Sequence, residues 1–206
     1  MKDIKFNKAI VFINCLVPLV MLAWDAVRNQ LGANPLEFVT RATGTLTLIF
    51  LLLSLAVTPA RRLTGWQWLI KFRRMLGLYA FFYGFLHLTT YVWFDKVFNL
   101  RGIVEDTFKR PFIAVGMFSF FLMIPLAITS TNAMIKRLGG KRWARLHKAV
   151  YISAIGGVLH FWMLVKADTR KPLLFAFVLA LLLGYRIATS YHARQTTLSP
   201  SPIPRR

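Results

Sequence analysis

Histidine is the chemically capable residue whose placement is most unusual in this sequence. Three of its four histidines, His87, His147 and His160, fall inside or at the edge of apolar runs. Imidazole titrates near physiological pH and is the commonest side-chain metal ligand. It is costly in hydrocarbon and is usually functional where it occurs there. The stretch from Arg145 to Trp162 holds two of them, His147 and His160, with Gly156-Gly157 between. As one helix, it separates the two rings by about 20 Å along the axis. One ring then lies near each face of a hydrocarbon core about 30 Å thick. The single cysteine, Cys15, excludes an intrachain disulfide and any multi-cysteine metal site.

The elements that must position these residues are apolar. The 206 residues are 56% hydrophobic with mean hydropathy +0.52, above the range of soluble domains. Six apolar runs are legible, at about 9–26, 44–59, 75–94, 111–129, 147–165 and 172–188. The fold expected is an all-α integral membrane protein, a bundle of six transmembrane helices forming one domain over 1–190. Pro18 is expected to kink the first helix, and Pro111 suits a first helical position. Residues 32–35 read as a turn, 95–110 as a polar connection and 191–206 as a disordered tail. No internal repeat is evident.

The net charge of +20 lies between the apolar runs, so it points to membrane topology and lipid contact, with no nucleic-acid partner. The N-terminus, the 61–74 and 130–148 connections and the chain from Arg186 hold 18 of the 27 Lys and Arg, but only Asp3 of the seven acids. The positive-inside rule puts both termini in the cytoplasm.

Orientation fixes depth. The third and fifth runs both lead outward, which brings His87 and His160 to about the same level in the outer half. Two imidazoles on facing helices suit the two axial ligands of one haem. The alternative is that each is a polar residue hydrogen-bonded between helices. A zinc site would need a third ligand that the outer half does not offer. Gly84, Gly156 and Gly157 would let a flat macrocycle approach the backbone. His147 is left with three readings: a second haem, a headgroup contact or a flavin contact. It also points about 140° away from His160 around an ideal helix, a gap that a distortion at Gly156-Gly157 would close. His192 lies in the tail.

At these residues a resemblance emerges. Arg73-Arg74-Met-Leu-Gly77 leading to Leu86-His87-Leu-Thr89, Lys109-Arg110-Pro111-Phe, Thr129-Ser130-Thr131 and Trp143-Ala-Arg-Leu-His147-Lys-Ala-Val-Tyr151 resemble the MsrQ (YedZ) family. Leu31-Gly32-Ala33-Asn34-Pro35, Thr58-Pro59 and His160 also match, so the likeness covers about 10–190. It extends to the ferric reductase and NADPH oxidase membrane domain. The resemblance implies a haem b protein of the bacterial inner membrane. Such a protein passes electrons to a periplasmic molybdopterin-containing methionine sulfoxide reductase subunit, in support of protein repair. The donor would be the quinone pool or a cytosolic flavin reductase, and FMN is a further associated cofactor. It places His87, His147 and His160 at haem-ligand positions. NADPH oxidases carry a second histidine on the third helix, where Arg73 stands here.

Cations are the expected partners of haem propionates: Arg41, Arg110 and Lys166 toward the outside, and Arg73, Arg74, Arg145 and Lys148 toward the inside. The simpler role for each is topology and headgroup contact. Trp93 and Trp162 are read as interfacial belt residues. Competing classes are a small-solute transporter, whose inverted repeats and broken helices are not evident, and a pure membrane anchor.

Overall fold

The computed structural model describes residues 4–198. Every regular element in that range is helical. Nine α-helices follow in order: α1 (Ile4–Val27), α2 (Pro35–Thr64), α3 (Arg73–Thr89), α4 (Leu100–Lys109), α5 (Pro111–Ile128), α6 (Asn132–Leu138), α7 (Gly140–Leu146), α8 (Ala149–Leu164) and α9 (Arg170–Leu198). A 3-10 turn, Gln67–Phe72, leads into α3, and a π-helical segment, Thr90–Asp95, ends it. Five helical stretches are long and apolar enough to cross a membrane: 4–27, 35–64, 67–95, 111–128 and 170–191. At 16 residues, α8 is shorter than these.

Local chemistry explains the boundaries that differ from expectation. α2 begins nine residues before its apolar run because Asn34 caps it. The Asn34 side chain accepts from the Glu37 N–H (3.2 Å) and donates to the Glu37 carboxylate (3.0 Å), with Pro35 at the first position. It ends at Gly65, in the left-handed conformation (φ 74°), whose N–H bonds the Arg61 carbonyl. The 95–110 connection contains α4, capped by Asn99 accepting from Gly102 N–H (3.0 Å). Leu100, Val104 and Phe108 recur at helical spacing on its exposed side. The 130–148 connection holds two short helices, and α9 continues helical to Leu198 through the start of the expected tail. The rest of that tail, 199–206, lies outside the described residues.

α2 is the core of the bundle. Leu48, Phe50, Leu51, Leu52, Leu55 and Val57 are buried along it, whereas α1 and α9 stand at the periphery. α2 pairs with α3 in one antiparallel hairpin and α5 with α8 in another. Close approach of α8 needs small residues. A side-chain carbon at Gly156 would collide with the Ser119 hydroxyl of α5, and one at Gly157 would meet Leu48 of α2 at 3.0 Å. Ser153 adds a bond to the Ser119 carbonyl (2.9 Å). α1 is tied to α3 by the Tyr79 and Tyr83 hydroxyls, which donate to the Phe12 (2.8 Å) and Cys15 (2.7 Å) carbonyls. Tyr83 is fully buried and stacks on Phe50 at 5.3 Å.

α4 is folded back against α5 and held by charge. Asp106 accepts from Lys96 (2.5 Å) and from the Tyr91 hydroxyl (3.3 Å), with Arg110 at 3.8 Å. The hydrogen bond from Lys96, ahead of the attraction of Arg110, holds the Asp106 carboxyl below the usual carboxylate range. A depressed carboxyl stabilises the fold above its unfolded pKa and loses that contribution as pH falls through the folded one. Amide exchange in 100–109, read by mass spectrometry, is therefore expected to accelerate only below the ordinary carboxylate range. Asp106→Asn should bring that acceleration to neutral pH.

Candidate haem-ligand site

His87 and His160 come together as the depth argument requires. Their ring centroids are 6.1 Å apart, with the planes 76° to one another. Both rings are partly buried where α2, α3, α5 and α8 meet. His87 Nδ1 lies 2.9 Å from the Thr40 carbonyl on α2, and His160 Nδ1 lies 2.6 Å from the Phe112 carbonyl on α5. A carbonyl can only accept, so each Nδ1 carries the proton and each Nε2 keeps its lone pair. Among the described residues neither Nε2 makes a hydrogen bond. Bonding one ring nitrogen to a carbonyl so that the other is left for a metal is the usual second-shell arrangement of ligating histidine.

The two seats are built alike. Four residues after each accepting carbonyl, the helix carries a glycine, Gly44 after Thr40 and Gly116 after Phe112. A side-chain carbon at Gly44 would lie 3.0 Å from His87 Nδ1, and one at Gly116 only 2.7 Å from His160 Nδ1. The bare glycine backbone lets the ring reach a carbonyl on the neighbouring helix. The separations from carbonyl to histidine, 47 and 48 residues, are nearly equal. Two helical hairpins thus repeat one device.

These glycines and carbonyls went unseen in the sequence reading. Nothing local marks them, since Gly44 only opens the 44–59 run and Gly116 lies within the 111–129 run, whereas Gly156-Gly157 stand beside His160 in the sequence. Gly156 and Gly157 face α5 and α2, and a carbon added at Gly84 would meet Phe120 at 3.3 Å, so these glycines serve close helix packing. Arg74 and Arg145 are exposed at the other end of the bundle. Arg74 donates to Asn132 (2.6 Å), and neither reaches the two imidazoles. Arg41 pairs with Glu37 (2.5 Å), and Lys166 is exposed. Trp93 and Trp162 are exposed at 56% and 41%, as belt residues would be.

His147 is placed differently. It sits at the junction of α7 and α8, so the break falls beside His147 and α8 runs on through Gly156-Gly157. Its Nε2 is 3.0 Å from the Thr129 hydroxyl, and its ring stacks on Trp143 at 4.0 Å. The Trp143 indole N–H donates to the Thr129 carbonyl (2.9 Å). His192 lies on α9, and nothing is described of its side chain.

The donor set can be tested against a group it would hold. No cluster of three or more His, Cys, Asp or Glu exists among the described residues, so a bare metal ion would lack ligands. Two imidazoles bound on opposite sides of one metal at about 2.0–2.1 Å place their centroids roughly 6.3–6.5 Å apart. The observed 6.1 Å is close to that value. The pair therefore fits a group that brings its own equatorial ligands and takes two axial ones.

Comparison with known proteins agrees with this class. Residues 42–158 match the family described as ferric reductase like transmembrane component. A protein of Herminiimonas arsenicoxydans is 52% identical over 91% of this chain and 87% of its own length. One of Ralstonia nicotianae is 48% identical over 100% and 96%, and one of Rhodospirillum rubrum 48% over 96% and 95%. Each of the three is named as the protein-methionine-sulfoxide reductase heme-binding subunit MsrQ. The chain belongs to the MsrQ family.

The geometry predicts ring tautomers. In haem-free protein labelled with 15N-histidine, His87 and His160 should both appear as the Nδ1–H form. A dominant Nε2–H form at either would contradict the seats described above.

Proposed function

We propose that this chain holds haem b between His87 and His160 and carries electrons across the bacterial inner membrane. The observation that carries this reading is the 6.1 Å pair of imidazoles, each turned by a carbonyl so that Nε2 is left for iron. Haem when bound supplies reversible one-electron chemistry, with a potential set by its axial ligands and its burial. The chain's residues do the rest. Thr40 and Phe112 fix the tautomers and raise the basicity of the ligands. Gly44 and Gly116 give the rings their seats. The apolar walls of α2 and α5 exclude water.

Six crossings suit the packing better than five. α8 lies among α2, α5 and α9, running antiparallel to α5, and its 16 residues span about 24 Å. With both termini cytoplasmic, the histidine pair lies toward the periplasm and His147 toward the cytoplasm. Electrons then enter from a quinol or a cytosolic flavin reductase, with FMN as an intermediate carrier. They leave to a periplasmic molybdopterin-containing methionine sulfoxide reductase subunit. The relatives support the methionine sulfoxide reductase part of this assignment, since each is named as the haem-binding subunit of a protein-methionine-sulfoxide reductase.

Replacing His87 or His160 by alanine should abolish the low-spin haem spectrum of the purified protein. Retention of full haem and an unchanged spectrum by both variants would refute the ligand assignment. Gly116→Ala, which forces the tighter clash, should weaken haem retention by about tenfold, the scale of a second-shell change, and more than Gly44→Ala. For His147, the haem-to-protein ratio of His147→Ala decides the number of sites. A halved ratio means a second haem ligated there after its Nε2 leaves Thr129, and an unchanged ratio means one haem.

A further inference from the structure

Among the described residues, the end of the bundle opposite the two imidazoles gathers cations without anions. Arg186, late in α9, turns inward. Its guanidinium donates to the Tyr151 hydroxyl on α8 and to the Thr58 hydroxyl (3.1 Å) and Leu55 carbonyl (3.5 Å) on α2. Its carbon lies 5.0 Å from the centroid of the Tyr151 ring. Its Nε is buried and unpartnered. Among the described residues only one other buried side-chain nitrogen or oxygen shares that state, the Nε of Arg61, one turn beyond Thr58 on α2. Arg62 and Arg73 are close enough to repel Arg186. The ion pairs among the described residues use Glu37, Asp95, Glu105, Asp106 and Asp168, all at the other end of the bundle.

Guanidinium groups converging at the edge of a low-dielectric bundle repel one another, and a buried N–H without an acceptor is unfavourable. An oxyanion relieves both. The planar fork of arginine matches phosphate in two-point geometry and is weakly hydrated, which suits it to partly buried anion sites. We propose that Arg186, with Arg62 and Arg73 near it, forms a binding site for a phosphate group between α2, α8 and α9. Phosphate fits better than carboxylate because donors arrive from several helices, and a tetrahedral group offers acceptors in several directions. In the topology proposed above, this end also lies at the level of phospholipid headgroups. The charge argument itself does not depend on that topology or on haem.

The test uses purified full-length protein with its haem, delipidated in neutral detergent and followed by native mass spectrometry. Phosphatidylglycerol, phosphatidylcholine and inorganic phosphate are added in separate titrations. The expected result is binding of phosphatidylglycerol or of inorganic phosphate, weakened about tenfold by Arg186→Gln, the scale for loss of a charged hydrogen-bonding partner. Lys141→Gln, a removed charge on exposed α7, should change it little. Phosphatidylglycerol that phosphate does not displace identifies a lipid headgroup as the source, and displacement by phosphate identifies a soluble phosphorylated molecule. Circular dichroism and haem content report folding, and Arg62→Gln replaces Arg186→Gln if the latter does not fold. The proposal is overturned if neither phosphatidylglycerol nor inorganic phosphate binds. Binding by the folded arginine variant equal to that of the unaltered protein overturns it equally.

Discussion

Two hydrogen bonds between helices set what this bundle can do. The N–H of His87 reaches the Thr40 carbonyl, and that of His160 reaches the Phe112 carbonyl. Each carbonyl belongs to a helix whose own ladder already uses it, so the ring can approach only where the following turn presents no side chain. Gly44 and Gly116 meet that condition. The antiparallel pairing of α2 with α3 and of α5 with α8 follows the same constraint, because each histidine near the end of one helix must meet a carbonyl near the start of its partner. The packing of α8 onto α2 and α5 through Gly157 and Gly156 then fixes the distance between the two seats. Without it, the two oriented imidazoles would not face one another.

The bundle is chemically polarised. Its histidine end is lined by carbonyls, apolar walls and ion pairs that neutralise Arg41, Lys96 and Arg110. Its other end carries Arg61, Arg62, Arg73 and Arg186 with no acid in an ion pair with them among the described residues, together with His147 on Trp143 and Thr129. The two ends therefore offer different chemistry: oriented imidazoles at one, and half-buried guanidinium groups at the other.

Sequence reasoning went far on this chain because membrane spans have strong signals. Hydropathy located the five helical stretches long enough to cross a membrane, and the expected common depth of His87 and His160 agrees with their meeting in the structure. It went less far wherever the decisive contact was tertiary. Gly44 and Gly116 lie more than forty residues from the rings they seat, so nothing local marked them, and the glycines adjacent to His160 drew attention instead. The angular gap between His147 and His160 suggested a distorted helix, whereas the chain breaks at His147 itself. α4 was read as a polar connection because its charges, Arg101, Glu105 and Lys109, conceal the apolar stripe of Leu100, Val104 and Phe108. Arg186 looked like one more topological charge, and only its burial against Tyr151 and Thr58 distinguishes it.

The central claim is that one haem is bound axially by two imidazoles, those of His87 and His160. Near-infrared magnetic circular dichroism of the oxidised protein reads the axial pair from its charge-transfer band. The band should stand at the position of bis-imidazole ligation and move to that of imidazole–thioether ligation in His160→Met. A band of another ligand pair in the unaltered protein, or one that does not move in that variant, would contradict the claim.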